Sequence, residues 1–483
     1  MNPPLPSEDP VQGSSIPVGS GDVLQSKRAG FWYFERFFVV FVLLYFAGGL
    51  NFFFQQGEQT AQDPPSSSQR LLMAQPRASN APDPTEKNPT KLMAQLFIYL
   101  VTGIFIIRDR GKFFQIVQQH KLLIALLALA AVSSLWSEVA GFTFRRSLVL
   151  SASTILGVYL GMRFTMRDLI KMLCAAGAIA AASSLIVIWL RPDFGISGGA
   201  TAGDWQGIFG QKNTLGGFMA LSTIAFVFSL LDEKEFRKLY AAGAVLCFGL
   251  LILSKDTTAT LLTPLLLATI PVFNYARKHS LRAIFGVSIV SGIIMAAVVF
   301  VLFFDVNQAL SLLDKDISLS GRTDIWPLVW HKFLAHPFLG YGYSAFWLGQ
   351  NGRQSAYIWS ILHWPVPHSH NGFLDVLADL GLAGFTLFWL GYVMCFRQAL
   401  KCARLSKSLI GLFPLVYFSF VIVFNISEGS ILKQESLIWV LYAATWVLTT
   451  RWLQLVVSAL GQPTTAKRLA ESRGGLWQPA HAG

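Results

Sequence analysis

Residues 213–231 decide the class of this protein: they read NTLGGFMALSTIAFVFSLL and contain no charged side chain. One α-helix needs roughly 20 mostly apolar residues to cross a hydrocarbon core about 30 Å thick. The run meets that requirement, and Lys212 and Asp232 stand at its two ends. We therefore predict a transmembrane helix at 213–231.

The composition of the whole chain agrees with this prediction. Hydrophobic residues make up 53% of the 483 residues, charged residues make up 13%, and the mean hydropathy is +0.50. A soluble chain is typically about a quarter charged, so the charges are too few to cover a water-facing surface of this size. The composition excludes an ordinary soluble enzyme and a chain that is disordered throughout.

Eleven further segments are long and apolar enough to be candidate spans, and we see no internal repeat among them. The predicted fold class is therefore all-α: a polytopic integral membrane protein with about 12 transmembrane helices. Four cysteines lie in or beside these segments without metal-ligand spacing, so we expect small buried side chains there. The predicted spans are 34–54, 92–107, 121–136, 147–162, 168–190, 213–231, 238–254, 258–274, 283–304, 371–395, 409–426 and 435–457.

The basic residues recur at the ends of the apolar runs. The net charge is +12, but the charges do not cluster as nucleic-acid binding requires, so nucleic acid is not an expected partner. With the N-terminus inside, 24 of the 38 lysines and arginines fall on the cytoplasmic side, as the positive-inside rule predicts. We expect a multi-pass protein with both termini in the cytoplasm.

The chain divides into one large membrane domain and two polar tails. Residues 1–30 are rich in Pro, Ser and Gly and lack the apolar core of a signal peptide, so we predict a disordered cytoplasmic tail. Residues 31–460 form the predicted membrane domain, and 461–483 form a cytoplasmic tail. Within the domain, 305–370 is predicted to be a large external loop before the tenth helix.

The loop before the 213–231 helix is a candidate anion site. It reads GDWQGIFGQKNTLGG at 203–217, and Lys212 and Asn213 stand where the helix begins. The backbone N–H groups and the dipole of a helix N-terminus favour an anion, and a lysine adds a full charge. Arg145 and Arg146, in a short predicted external loop, are further candidates for an anion. The alternative is a flexible turn with a lysine at the membrane interface.

A helix along the membrane surface is predicted within 320–347, SGRTDIWPLVWHKFLAHPFLGYGYSAFW. Arg322 precedes its apolar stripe, and a guanidinium presents a planar fork of donors that suits phosphate oxygens. A surface ion pair between Arg322 and Asp324 is the alternative. The stripe consists of Trp326, Trp330, Phe333, Leu334 and Phe338.

Histidines occur just before the tenth predicted span, in HWPVPHSHNGFLDVLADLGLAGF at 363–385. The unperturbed pKa of histidine lies near neutrality, so His370 is a candidate general base and His368 a candidate substrate contact. Interfacial histidines without a catalytic role are the alternative. A metal bound by His363, His368 and His370 is disfavoured, because no acid or thiolate is close in sequence.

Carboxylates continue from these histidines toward the membrane. On a continuous helix Asn371, Asp375 and Asp379 would form one polar stripe, and acids at that depth normally face a polar cavity or a partner. Asp375 is thus a candidate for substrate binding; bonds between helices are the alternative. Glu428, in NISEGSILKQES at 425–436, could orient a histidine or bind a sugar hydroxyl, or be a solvated loop acid.

These residues resemble those of the superfamily of bacterial O-antigen ligases and of O-antigen and exopolysaccharide polymerases. The ligase pattern His-(Asn/Ser/Gln)-x9-Gly-x-x-(Gly/Thr/Tyr) is matched by His370, Asn371, Gly381 and Gly384. The pieces GIFGQKNTLG and GRTDIW…GYGY look like the exopolysaccharide-polymerase branch. The resemblance extends over the fourth to twelfth spans. One departure is Gln206, where relatives often have an arginine.

The resemblance implies a metal-independent glycosyltransferase of the bacterial inner membrane that needs no cofactor. Its donor would be a polyprenyl-diphosphate-linked oligosaccharide, with a flippase and a chain-length copolymerase as expected partners beside the lipid bilayer. His370 would take the acceptor proton, and Arg322 and Lys212 would bind the diphosphate. A polymerase is the preferred assignment and a ligase the alternative. From other classes, a flippase or transporter for lipid-linked glycans and a structural partner in a secretion complex stay open.

Overall fold

The computed structural model describes residues 21–54, 88–198, 202–280, 282–294, 297 and 322–460. Across these residues the regular secondary structure is helical, apart from one isolated bridge between Ile196 and Trp205. The all-α class predicted from the sequence is confirmed. Most of the two tails, most of the polar stretch 55–91 and residues 305–321 of the predicted external loop lie outside the described residues.

Fifteen helices of ten or more residues occur in the described part of the chain. Shorter helical turns are Pro192–Gly195 and the 3-10 segments Ser133–Leu135, Gly207–Phe209, Gly349–Asn351 and Leu409–Leu412. The longer helices are α1 (Gly21–Phe46), α2 (Pro89–Arg108), α3 (Arg110–Gln119), α4 (Lys121–Val132), α5 (Ala140–Arg163), α6 (Met166–Leu190), α7 (Lys212–Asp232), α8 (Arg237–Leu253), α9 (Thr257–His279), α10 (Arg282–Ile294), α11 (Arg322–Ala335), α12 (Arg353–Leu362), α13 (Gly372–Leu405), α14 (Phe413–Ser427) and α15 (Leu437–Leu460).

Several of these helices have the length and apolar character of membrane spans. Seven qualify among the described residues, and an eighth arises if the bent pair α3–α4 crosses as one unit. The protein is therefore a multi-pass helical membrane protein. Each of the twelve predicted segments overlaps a described helix, while the count of twelve spans stays a prediction.

Several predicted boundaries differ from the structure, and two of these differences concern residues near the cavity. The predicted span 34–54 is interrupted, because α1 ends at Phe46 and Gly48 takes a left-handed φ of 81° before a short helix at 51–54. Arg145 and Arg146 were expected in a loop, but they lie within α5. The two charges end the apolar run in the sequence, yet arginine is a good helix former, so the helix begins earlier than hydropathy indicates.

Helices α5 and α15 pack with their backbones in close contact. A Cβ on Gly157 would lie 2.5 Å from the carbonyl oxygen of Val440, and one on Gly161 would lie 2.6 Å from that of Ala444. Two glycines four residues apart on one helix face permit this approach, as is common between membrane helices. This close packing fixes the position of α5, which has Arg146 near one end and Arg163 at the other.

Helix α13 is interrupted at Gly381, which has φ 61° and ψ −161°. The preceding segment 337–342 supplies backbone partners across the break: Leu382 N donates to Pro337 O, and Gly342 N donates to Asp379 O, at 2.8 and 2.9 Å. A Cβ at Gly381 would approach the carbonyl oxygen of Phe338 to 2.5 Å. The glycine of the ligase pattern therefore permits a broken helix with satisfied backbone groups, where the sequence predicted a continuous one.

Helices α3 and α4 are bent against each other by 86°. If α4 crosses the membrane, α3 consequently runs along its surface. The end of the bundle next to α3 contains ion pairs between helices, including Arg163 Nε to Glu35 Oε1 and Arg167 Nη2 to Asp232 Oδ2, each at 2.7 Å. The opposite end contains the histidines and acids singled out in the sequence.

Candidate active site

A cavity of about 490 Å³ opens at the histidine-bearing end of the bundle. One part of its wall is apolar and comes from α1, α5, α7 and α14, with Phe46, Phe142, Phe218, Leu221 and Phe424. The other part is polar, so the cavity offers an amphipathic molecule both kinds of surface. Its ionisable and amide side chains include Arg146, Asn213, His368, His370, Asp375, Asp379, Glu428, Lys433, Gln434 and Glu435.

His370 lies just before the N-terminus of α13 in an uncommon backbone conformation. Its φ is 51°, a region that non-glycine residues seldom adopt and that often marks functional sites. The backbone N–H of His370 donates to His368 Nδ1 at 3.1 Å, and the two ring centroids are 4.1 Å apart. The next residue, Asn371, caps α13 by accepting hydrogen bonds from the backbone N–H groups of Phe373 and Leu374. This local turn holds the His370 ring at the cavity.

Glu428 stands at the centre of the polar cluster. Its Oε1 accepts hydrogen bonds from Arg322 Nη2 and Asn213 Nδ2, both at 2.8 Å. Its Oε2 lies 3.7 Å from His370 Nδ1, and 13% of the Glu428 side chain is exposed. The structure thus brings together four sequence-predicted residues from α7, α11, the turn before α13 and the segment after α14. It contradicts a solvated Glu428, and it pairs Arg322 with Glu428 rather than with Asp324.

The charges of this cluster shift the protonation of its members. Burial tends to raise the pKa of Glu428, but the His370 ring and the Arg322 charge outweigh it, so that pKa lies below its ordinary value. Burial lowers the pKa of His368 well below its ordinary value, and the charge of Lys433 adds to this effect. At neutral pH Glu428 is therefore a carboxylate and His368 a neutral imidazole, whose Nδ1 accepts the bond from His370.

Asp375 and Asp379 both line the cavity, although they belong to an interrupted helix. Trp347 Nε1 and Ser369 N donate to Asp375 Oδ1 at 3.0 and 3.1 Å. Ser344 N donates to Asp379 Oδ2 at 2.9 Å. The expected stripe is thus correct for the two acids, whereas Asn371 caps the helix instead of starting the stripe.

Lys212 and the two arginines of α5 occupy different positions relative to the cavity. Lys212 Nζ pairs with Asp204 Oδ2 at 2.7 Å, and Lys255 Nζ pairs with the other oxygen at 2.9 Å. Arg146 contributes to the cavity wall, but the Arg145 side chain is exposed. Among the predicted cations, Arg146 is thus the one that the described cavity wall contains.

Several charged residues near the site were missed in the sequence. Lys433 lines the cavity with its Nζ 3.7 Å from Asp375 Oδ2, and Asp204 holds Lys212. Asp256 caps α9 by accepting from Ala259 N at 3.1 Å, and its buried Oδ2 has no hydrogen-bond partner among the described residues. Burial and the charge of Glu428 raise the pKa of Asp256 to about 7. An aspartate directly before a helix is a recognisable cap, but nothing local links it to Glu428.

One group of side chains has donor atoms close enough to share a cation. It consists of His368, His370 and Glu428, whose candidate ligand atoms lie within 4.8 Å of one another. Folding therefore supplies the acid that the sequence lacked beside the histidines, while His363 is not part of this group. Arg322 and Lys433 lie next to the same atoms, and their positive charges oppose a bound cation.

The fold and this cavity define a polytopic α-helical membrane protein with a histidine–carboxylate–arginine cluster at one end of its bundle. The chain resembles the superfamily of O-antigen ligases and of O-antigen and exopolysaccharide polymerases. Residues 242–389 match the O-antigen ligase family, and this segment includes Arg322, His370 and the break at Gly381. The resemblance seen in the sequence is confirmed.

A curated relative agrees with this assignment. The chain is 25% identical over 288 residues to the exopolysaccharide production protein ExoQ of Rhizobium meliloti. The match covers 57% of this chain and 64% of the relative, so the chain spans less than two thirds of the length of that protein.

Proposed function

We propose that this protein is a glycosyltransferase of the bacterial inner membrane that polymerises oligosaccharide repeat units carried on a polyprenyl diphosphate. The observation that carries the proposal is the convergence of His370 and Glu428 at one cavity, with Arg322 hydrogen-bonded to Glu428. Arg322 and Glu428 are 106 residues apart in the chain. Their pairing beside a histidine at an amphipathic cavity fits a base, its orienting acid and a lipid-linked substrate.

His370 serves as the general base in this proposal. Its Nδ1 faces Glu428 Oε2 at 3.7 Å, a distance that tightens to a hydrogen bond when the substrate is bound. A proton held on Nδ1 by that carboxylate leaves the Nε2 lone pair available, as in other acid–histidine pairs. Arg322 and Asn213 hold Glu428 through Oε1 and thereby set the direction of its second oxygen.

The reaction is a single group transfer. The acceptor hydroxyl gives its proton to His370 Nε2 while its oxygen forms a bond to the anomeric carbon of the donor sugar. The bond from that carbon to the diphosphate oxygen breaks, and its electron pair leaves with the polyprenyl diphosphate. Cationic side chains beside the leaving oxygen stabilise the negative charge that develops on it, as preorganised charges do in other enzymes.

Two pairs of cations are available for the diphosphate. Arg146 and Lys433 belong to the cavity wall and can meet a substrate there directly. Arg322 and Lys212, the pair expected from the sequence, are engaged with Glu428 and Asp204 at 2.8 and 2.7 Å. We assign first contact to Arg146 and Lys433, with Arg322 meeting the leaving group as charge develops while it still holds Glu428.

The lipid-linked nature of the substrate is supported by the two surfaces of the cavity. Phenylalanines from several helices form an apolar wall that suits the first isoprene units. The polar wall beside His370 suits sugars and diphosphate. A donor that enters from the bilayer can use both walls at once, whereas a soluble nucleotide sugar would leave the apolar one unused.

The polymerase assignment is the finer part of the proposal. It is supported by the relative, which is an exopolysaccharide production protein. The family match, which carries the description O-antigen ligase, favours transfer to a lipid core as the second candidate. In a deletion strain, single repeats on the lipid carrier would indicate a lost polymerase, and long chains on the carrier would indicate a lost ligase.

Reconstitution separates an enzyme from a transporter. We expect purified protein in liposomes to convert a defined polyprenyl-diphosphate oligosaccharide into longer products without an energy source. Because two cations lie beside the His368–His370–Glu428 group, we expect a chelator to leave the rate unchanged. Substrate that crosses the bilayer without elongation would support the flippase alternative, and chelator-sensitive elongation would make the three residues metal ligands.

A further inference from the structure

A second cavity, of about 320 Å³, lies at the end of the bundle opposite His370. Along α5, Arg146 lines the first cavity and Arg163 lines the second. A rise of about 1.5 Å per residue separates them by roughly 25 Å along the helix. The second cavity is therefore outside the candidate active site. Its wall consists of Asp109, Lys112, Gln115, Ile116, Gln119, Met162, Arg163, Arg451 and Gln454.

Two guanidinium groups of this cavity are held in place by hydrogen bonds to other helices. Arg163 Nε donates to Glu35 Oε1 at 2.7 Å, and Glu35 is buried with 2% of its side chain exposed. Arg451 Nη1 donates to the carbonyl oxygens of Gly161 and Phe164, near the C-terminus of α5. Both cations are thus preorganised at the wall.

The third cation, Lys112, is exposed and has no ion-pair partner among the described residues. Asp109 is the acid of the wall, so three cations face one carboxylate, and Glu35 behind Arg163 offsets part of this excess. The remaining polar wall is made of glutamine amides, with Gln454 Nε2 donating to Gln119 Oε1 at 2.9 Å. Guanidinium, ammonium and amide donors around a small cavity suit a phosphoryl group.

The position of α3 indicates where such a group comes from. Helix α3 supplies Lys112, Gln115 and Gln119 to the wall. It is bent by 86° against α4, so it runs along the membrane surface if α4 crosses the membrane. On the same helix Phe114 is 61% exposed, which offers apolar contact to an acyl chain. A lipid headgroup lies at this depth, and basic pockets between membrane helices bind anionic headgroups.

We propose that this cavity binds the phosphate headgroup of an anionic phospholipid in the leaflet opposite the active site. The headgroup bridges α3, α5 and α15 through Lys112, Arg163 and Arg451. The bound lipid ties the surface helix to the ends of two packed helices. This binding is independent of the glycosyltransferase assignment.

Native mass spectrometry of the detergent-purified protein tests the site. We expect wild-type protein to retain phosphatidylglycerol in preference to phosphatidylethanolamine. Lys112→Gln should weaken phosphatidylglycerol binding about fivefold, because a basic residue at an anionic headgroup contributes on the order of 1 kcal/mol. Arg110→Gln is the matched control, since Arg110 is exposed on the same helix but is not part of the cavity wall.

The possible outcomes separate the lipid from other occupants. Loss of binding in Lys112→Gln with less than a twofold change in Arg110→Gln supports the site. Equal loss in both variants would reduce the effect to general surface charge and overturn the proposal. Equal retention of the two phospholipids would overturn it as well. If glycerol 1-phosphate, which has no acyl chains, competes as strongly as phosphatidylglycerol, the ligand is a soluble phosphate ester and the lipid proposal fails.

Discussion

Glu428, which is 13% exposed, and Glu35, which is buried, lie at opposite ends of the same bundle, and each pairs with an arginine. Glu35 accepts hydrogen bonds from Arg163 and from the Tyr159 hydroxyl. Both bonds join α5 to α1. Glu428 accepts hydrogen bonds from Arg322 and Asn213 through one oxygen, and its second oxygen faces His370 at the cavity. An ion pair between helices therefore does not by itself mark a catalytic site. The histidine beside Glu428 distinguishes the two pairs, since Arg163 of the other pair also lines a cavity.

The largest expected effect is on activity at the Glu428 end. His370→Ala should lower the polymerisation rate by about 10²–10⁴-fold, which is typical for loss of a general base. The amount of folded protein should stay near wild type. His331→Ala is the matched control, because this histidine is exposed on α11. Polymer yield from His370→Ala equal to that of the control would remove His370 from the mechanism.

A substitution of Glu428 tests whether its second oxygen matters to the reaction. Glu428→Gln should lower the rate roughly 10²-fold, at the lower end of the range for general-base loss, because His370 stays but is no longer oriented. Reconstituted elongation assays with equal amounts of folded protein measure this. Full activity in Glu428→Gln would show that Glu428 acts only through packing.

The counterpart change at the other end should affect stability instead of rate. Glu35→Gln should reduce the free energy of unfolding by about 3 kcal/mol, because removing one partner of a buried pair leaves the other charge uncompensated. This lies at the low end of the usual range, since 30% of the Arg163 side chain is exposed. Thermal melts of the purified protein measure the loss. A rate per folded molecule that falls as far as in Glu428→Gln would erase the contrast between the two glutamates.

A smaller effect on the rate should distinguish Arg322 from Lys212. Arg322→Lys should cost about tenfold in rate, since a point charge cannot replace a planar fork that must hold Glu428 and meet phosphate. Lys212→Arg should stay within about twofold, because Lys212 is itself a point charge beside a helix N-terminus. Rates measured with a fixed lipid-linked substrate decide this. Equal rates for Arg322→Lys and wild type would reduce Arg322 to a local charge.

The smallest effect concerns pH and Asp256, whose pKa is raised to about 7. Between about pH 4 and 7 the folded state keeps a proton that the unfolded state has lost, so stability falls as pH rises through this window. Asp256→Asn retains a capping side chain for α9 and should flatten this fall. Melting temperatures of both proteins from pH 5 to 8 measure the difference. Parallel curves would show that Asp256 does not titrate there.

Much of the fold could be predicted because hydropathy acts locally. Each predicted span overlaps a helix, and the helix α11 was predicted from the spacing of its aromatic residues. The break at Gly381 was not predicted, because the run around it is uniformly apolar and its cause is the distant segment 337–342. The predicted start of α5 was too late in the sequence, because two adjacent arginines are typical of a polar loop.

The candidate site was predicted residue by residue but not as an arrangement. His370, Arg322, Asn213 and Glu428 each stood out by type and position. Nothing in the sequence indicated that Arg322 would bind Glu428 rather than Asp324, because partner choice across 106 residues depends on packing. Lys433 was overlooked for a related reason, since a lysine in a mixed loop has no periodicity to assign it to a cavity.

The interruption of α13 has a consequence for how the chain enters the bilayer. Backbone groups left open in hydrocarbon are costly, so a broken helix needs its partners at once. The segment 337–342 satisfies the break, and it is translated before α13. The emerging helix therefore meets a template that is already outside the ribosome. In a circular permutant that begins at α13, the order of synthesis would be reversed. The backbone groups at the break would then lack hydrogen-bond partners while α13 is inserted.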